Sequence, residues 1–102
     1  MRKHNDIPIL ALIGDAVGQD VSKVAEKIND LAEDGTTTIV IDCSELTAMD
    51  SHGLGMLIFS YKLMDSQKRR LLFLNPSEFV KDLFENSNLD RVFTIIGSLE
   101  EL

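Results

Sequence analysis

Four short apolar runs, separated by stretches with helical periodicity, constrain this chain more than any other feature. Residues 7–13, IPILALI, are apolar throughout, as in a strand buried on both faces. Residues 36–43 are β-branched and apolar around Ile39, Val40 and Ile41, and residues 71–74 and 92–96 repeat the pattern. Between them, Val21, Val24, Ala25, Ile28, Leu31 and Ala32 form a helical stripe, with Asp20 as its N-cap and Gly35 as its stop. A second stripe runs through Leu54, Leu57, Ile58, Tyr61 and Met64, and a third through Phe79, Val80, Leu83 and Phe84. Asn75-Pro76-Ser77-Glu78 reads as the third helix start, with Asn75 capping, Pro76 in the first helical position and Glu78 completing a capping box. Residues 14–19 read as a turn and 44–50 as a loop, while 98–102 begin a last short helical turn. The order β-α-β-α-β-α-β with a short tail predicts an α/β fold whose strands pair mostly in parallel through right-handed crossovers.

A chain of 102 residues is read as one domain, 1–102, because a second core would not fit. Cys43 is the only cysteine, so no internal disulfide forms, and a reducing, cytoplasmic setting is expected. No apolar run is long enough for a bilayer helix, and the N-terminus lacks the hydrophobic segment of a signal peptide. A formal net charge of −7 argues against non-specific binding to nucleic acid or an anionic membrane. Proteins and small ligands remain as partner classes.

The chemistry concentrates in the heptad MDSHGLG, residues 49–55. Asp50, Ser51 and His52 have the residue types of a hydrolytic triad, but consecutive side chains point apart, and on a helix it is positions three and four apart that meet. The nucleophile-elbow pattern is missing too, because Met49 stands where its first glycine belongs. Asp42, Cys43, Asp50 and His52 match no zinc or calcium spacing, so Cys43 reads as a small buried hydrophobe and His52 as a solvent-facing residue. No metal and no cofactor is expected.

Ser51 lies at or beside the N-cap of the second helix, where its hydroxyl can simply accept a first-turn amide, worth about 1 kcal/mol. Gly53 and Gly55 need a further reason, since each costs roughly 1 kcal/mol against alanine inside a helix. Their missing side chains would let a partner's backbone approach. A phosphoryl group on Ser51 would add about −1.5 to −2 charge at the positive end of the helix dipole, which the helix tolerates and a docked partner beside Asp50 does not. The heptad alone leaves a plain cap and a phospho-switch both open.

The stretch IVIDCSELTAMDSHGLGMLIFSYKLM, followed by RRLLFLNPSEFVKDLFENSNLDRVFTII, resembles the STAS domain of the bacterial anti-sigma-factor antagonist family, roughly over residues 7–97. The resemblance implies an α/β fold with a four- to five-stranded, mostly parallel mixed sheet and about four helices, the last one short. In that family the serine after the motif aspartate is phosphorylated by a kinase that is also an anti-sigma factor. The unmodified antagonist binds the kinase and frees the sigma factor, phosphorylation releases it, and a serine phosphatase resets the system. Carried over, the phosphoacceptor is Ser51, and the partner-binding surface comprises Asp42, Asp50, Ser51, His52, Gly53, Leu54 and Gly55. The protein is then a substrate rather than an enzyme, with no direct nucleic-acid contact and no membrane insertion. The alternative is a STAS-fold scaffold or subunit of a transport or sensory complex, in which Ser51 only caps a helix. The chain departs from the family pattern at His52, where a small hydroxyl residue is common, and residues 1–6 leave little room for the family's extra first strand.

Overall fold

A computed structural model describes residues 2–16 and 18–102, and of residues 16 and 18–20 the backbone only. The described residues form seven strands and three α-helices in the order β1 (Arg2–His4), β2 (Ile7–Ala11), β3 (Gly14–Ala16), α1 (Gly18–Glu33), β4 (Thr38–Asp42), β5 (Leu46–Met49), α2 (Ser51–Ser66), β6 (Arg70–Leu74), α3 (Glu78–Asn86) and β7 (Thr94–Ile96). Single 3-10 turns occupy Leu89–Arg91 and Leu99–Glu101, so the short last helix expected after β7 is a 3-10 turn. The main sheet has the order β1-β2-β4-β6-β7, and only β1 runs antiparallel. β3 and β5 form a separate parallel pair.

From β2 onward each strand of the main sheet joins on the same side of the last. Right-handed crossovers then place every connecting helix on one face. The core on that face joins Ile39 and Ile41 of β4 and Leu71 and Phe73 of β6 to Val21 and Ile28 of α1, Leu57 and Met64 of α2, and Val80 and Phe84 of α3. Alternate residues of the same strands point the other way, where Ile9, Val40, Leu72, Leu74 and Ile96 cluster against Ile7, Leu99 and Leu102. Two apolar faces explain why β4 and β6 are apolar along their length. Phe73 stacks on Phe93 at 4.3 Å, and Phe84 meets both rings edge-on.

The structure differs from the expectation at five places. Residues 1–6 do hold a first strand, because Asn5 and Asp6 take positive φ (51° and 67°) and close a two-residue hairpin between His4 and Ile7. Parts of the turn 14–19 and the loop 44–50 are strands: three and four residues that pair only with each other, too short to show an alternation. The third helix is capped by Ser77 rather than Asn75, which sits at φ 47° ahead of the buried Pro76. α1 begins at Gly18, upstream of the cap expected at Asp20, whose side chain lies outside the described residues. Its end is as expected. Gly35 at φ 91° lets its own amide reach Ala32 O and the Thr36 amide reach Leu31 O, a paired closure that Arg69 completes by donating to Ala32 O and Thr36 O.

Candidate functional site

The chain leaves β4 at Asp42, whose register partners are Ala11 in β2 and Leu74 in β6, so it emerges at the carboxyl ends of the parallel strands. From there β5 carries it to the start of α2. Open α/β sheets place their functional sites at this end, because the loops here are free to vary while the strands hold their ends rigid.

Asp50 is the N-cap of α2. Its backbone is extended (φ −87°, ψ 171°), its carboxylate accepts from the Gly53 amide at 2.7 Å, and its carbonyl accepts from the Leu54 amide. The capping role open to Ser51 in the sequence therefore falls to Asp50. Ser51 is the first helical residue; it is exposed, and its hydroxyl makes no hydrogen bond among the described residues. His52 is exposed beside it.

The two glycines have opposite environments. Gly53 is buried, and a Cβ there would stand 3.0 Å from Val21 Cγ2, 3.1 Å from Asp50 Oδ1 and 3.2 Å from Met49 Cγ. It lets α2 pack on α1 and lets the cap close. Gly55 is exposed, with nothing within 4 Å of a Cβ. Partner access is expected of both glycines from the sequence, whereas the structure leaves only Gly55 open at the surface. Ser51 and Gly55, four residues apart, share one face of the helix. Leu54 is half-buried against the helix-side core.

Asp42 belongs to a different cluster. Its carboxylate accepts from the Ser44 amide (3.0 Å) and the Ser44 hydroxyl (2.7 Å), and pairs with the Arg2 guanidinium of β1. Burial works to raise its pKa, but the Ser44 donors and Arg2 together outweigh it and hold the carboxyl below its ordinary value. Asp42 thus pins the first strand and the turn after β4, with its partners outside the heptad. Arg2 carries no local signal of this role, standing 40 positions away in sequence.

Cys43 is buried, and burial, with Asp42 adding to it, pushes the thiol up to about 12. A neutral thiol is a poor ligand and a poor nucleophile. Among the described residues no three His, Cys, Asp or Glu side chains gather as a metal set, and no helix is long and apolar enough to cross a membrane. Further along α2, Met64 is fully buried and Tyr61 packs on Phe93, whereas Phe59 is 68% exposed.

The arrangement offers a solvent-facing hydroxyl on a capped helix start, with an acidic neighbour and an open glycine one turn on. Comparison with known proteins gives it a context. The chain is 29% identical over 82 residues to the anti-sigma F factor antagonist of Lysinibacillus sphaericus, covering 79% of this chain and 70% of that one. It is 29% identical over 69 residues to the anti-sigma-B factor antagonist of Staphylococcus aureus, covering 68% of this chain and 64% of the relative, just under two thirds of its length. The fold matches the anti-sigma factor antagonist SpoIIAA in its unphosphorylated form with a TM-score of 0.74 at 22% identity, over 98% of this chain and 88% of that one. SpoIIAA of Bacillus in the phosphorylated form matches with a TM-score of 0.71 at 26% identity, over 91% and 84%. The STAS domain family matches residues 1–102, and the chain belongs to that family.

Proposed function

We propose that the protein is an anti-sigma-factor antagonist whose partner choice is switched by phosphorylation of Ser51. In the unmodified state it binds an anti-sigma-factor serine kinase and frees a sigma factor. The kinase then transfers a phosphoryl group: Ser51 Oγ forms a bond to the γ-phosphorus of ATP, the bond to the ADP oxygen breaks, and the hydroxyl proton passes to a base on the kinase. The phosphorylated protein is released, and a serine phosphatase restores the hydroxyl. The contact surface is Asp50, Ser51, His52 and the open Gly55, with Leu54 and Gly53 beneath it and Asp42 fixing the turn after β4.

The observation that carries this reading is the placement of Ser51 one residue inside a helix that another side chain caps. Its hydroxyl is exposed, and the helix start does not use it. The phosphoryl charge falls on a surface that already carries Asp50. One unfavourable pair of unit charges across the interface, the phosphoryl group and an anionic group of the partner about 5 Å apart, costs roughly 3 kcal/mol at an effective dielectric of about 20, on the order of a hundredfold in affinity. The names of the relatives, and a relative known in a phosphorylated form, point the same way.

The test begins with pull-down of the unmodified protein from its host to recover the kinase. Incubation with that kinase and ATP, followed by phosphopeptide mapping, is expected to place the label on Ser51. Label that persists in Ser51→Ala would remove Ser51 as the acceptor. Ser51→Asp is expected to weaken kinase binding at least tenfold, and unchanged affinity would rule out release by charge.

A further inference from the structure

A phosphorylated serine in the first turn of a helix ordinarily finds a resting place at home. The first-turn amides lack intrahelical acceptors and the dipole favours an anion there, so the phosphoryl group can fold back onto its own helix. A charge absorbed in this way is a poor signal, because the outer surface then changes little.

In this chain the Gly53 amide already donates to the Asp50 carboxylate at 2.7 Å. The bond is held in place from behind: Gly53 is buried against Val21, and the Asp50 oxygen lies within 3.1 Å of where a Gly53 Cβ would stand. α2 also supplies no other cation near its start, since His52 is the only basic side chain between Ser51 and Tyr61.

We infer that Asp50 is a positioning residue of the switch: by occupying the Gly53 amide it denies the phosphoryl group on Ser51 that buried donor. The inference rests on Ser51 as the phosphoacceptor. It gives the motif aspartate a task besides capping, and it separates two properties that cap chemistry usually merges. Serine or asparagine in its place would cap the helix without adding a carboxylate for the phosphoryl group to displace.

The experiment places phosphoserine at position 51 by genetic encoding, in the otherwise unaltered protein and in Asp50→Gly. Glycine keeps the extended cap backbone and is among the better tolerated caps. The readout is the Gly53 amide proton shift with and without the phosphoryl group. The expected result is a Gly53 resonance that stays in place on phosphorylation of the unaltered protein and moves downfield in D50G, as the phosphoryl oxygens take the vacated donor. Should D50G not fold, Asp50→Asn replaces it: its neutral side-chain oxygen holds the Gly53 amide more weakly than a carboxylate does, and a smaller downfield move is expected as the phosphoryl oxygens displace it. A downfield move in the unaltered protein overturns the inference, because the phosphoryl group then reaches the amide despite Asp50. No move in either protein also overturns it, because Asp50 is then not what keeps the phosphoryl group off the Gly53 amide. No kinase enters the measurement, so its failure is distinct from a failure of kinase binding or of labelling at Ser51.

Discussion

Of the helices that start at the carboxyl end of this sheet, α2 and α3 each have a serine at the start. At α3 the serine is the cap itself. The Ser77 hydroxyl accepts from the Val80 amide at 3.4 Å and donates to the Leu46 carbonyl of β5 at 2.6 Å, in a half-buried setting. At α2 the cap is Asp50, and Ser51 follows it with its hydroxyl in solvent. An offset of one position separates a serine committed to the fold from a serine available to another protein. The cap position aims a short side chain at orphan amides, whereas the next position points it away from the helix axis. A phosphoryl group on Ser77 would have to break a strand contact. On Ser51 it breaks none among the described residues.

The strongest way to break this comparison is to attack what holds the second helix start in place. Gly53→Val puts a branched side chain where a single Cβ already stands 3.0 Å from the fully buried Val21. Overpacking and loss of the cap together are expected to cost about 3 kcal/mol, read as a lower urea midpoint at unchanged m. A neutral outcome would mean that α2 and α1 are not locked at this point, and that Asp50 does not depend on a close backbone approach.

Ser77→Ala comes next. It removes a cap, worth about 1 kcal/mol, and withdraws the donor from the Leu46 carbonyl, worth about another 1 kcal/mol. An expected loss of about 2 kcal/mol in urea unfolding would confirm that this serine holds α3 to β5. A loss below about 0.5 kcal/mol would make the two serines alike and dissolve the contrast.

The same contrast shows where sequence reasoning stops. The four parallel strands of the main sheet and the three α-helices are legible because apolar periodicity is a sum over many residues, and single errors average out. β3 and β5 are not legible: each has three or four residues, and their pairing joins segments on either side of α1. The choice between Asp50 and Ser51 as cap is one of register. Both residue types cap well, so composition cannot decide, and the same ambiguity shifts the third cap from Asn75 to Ser77. The roles of the two glycines were in reach. Gly53, Leu57, Ser60 and Met64 are the buried residues of α2, spaced four, three and four apart, and Gly55 falls off that line. Extending the stripe back past Leu57 would have marked Gly53 as a packing glycine. The pairing of Arg2 with Asp42 has no such signal, because it depends on the hairpin that brings β1 beside β2.

Gly55→Ala sharpens the comparison from the open side. With nothing within 4 Å of the new methyl group and a helical position well inside α2, the substitution is expected to stabilise the protein by up to about 1 kcal/mol. Stability and binding should then move in opposite directions. The same methyl group is expected to weaken kinase binding, because it stands on the face that Ser51 shares. A stabilised variant that binds at full strength would move the docking surface off this face.

The smallest expected effect is the most telling. Ser51→Ala removes a hydroxyl that no described hydrogen bond engages, at an exposed first-turn position where alanine is as good a helix former as serine or better. The expected change in unfolding free energy lies within about 0.5 kcal/mol of zero, like other surface substitutions away from caps and cores. Set beside Ser77→Ala, this gives two serine deletions at two helix starts with a difference of about 2 kcal/mol between them. A loss above about 1 kcal/mol for Ser51→Ala would show that the hydroxyl, and not the Asp50 carboxylate alone, closes the first turn of α2. Phosphorylation would then have to disrupt the helix start in order to act, and a switch that leaves its own fold intact would be lost. A silent substitution that nevertheless abolishes labelling by the kinase would place the role of Ser51 in accepting the phosphoryl group rather than in stability.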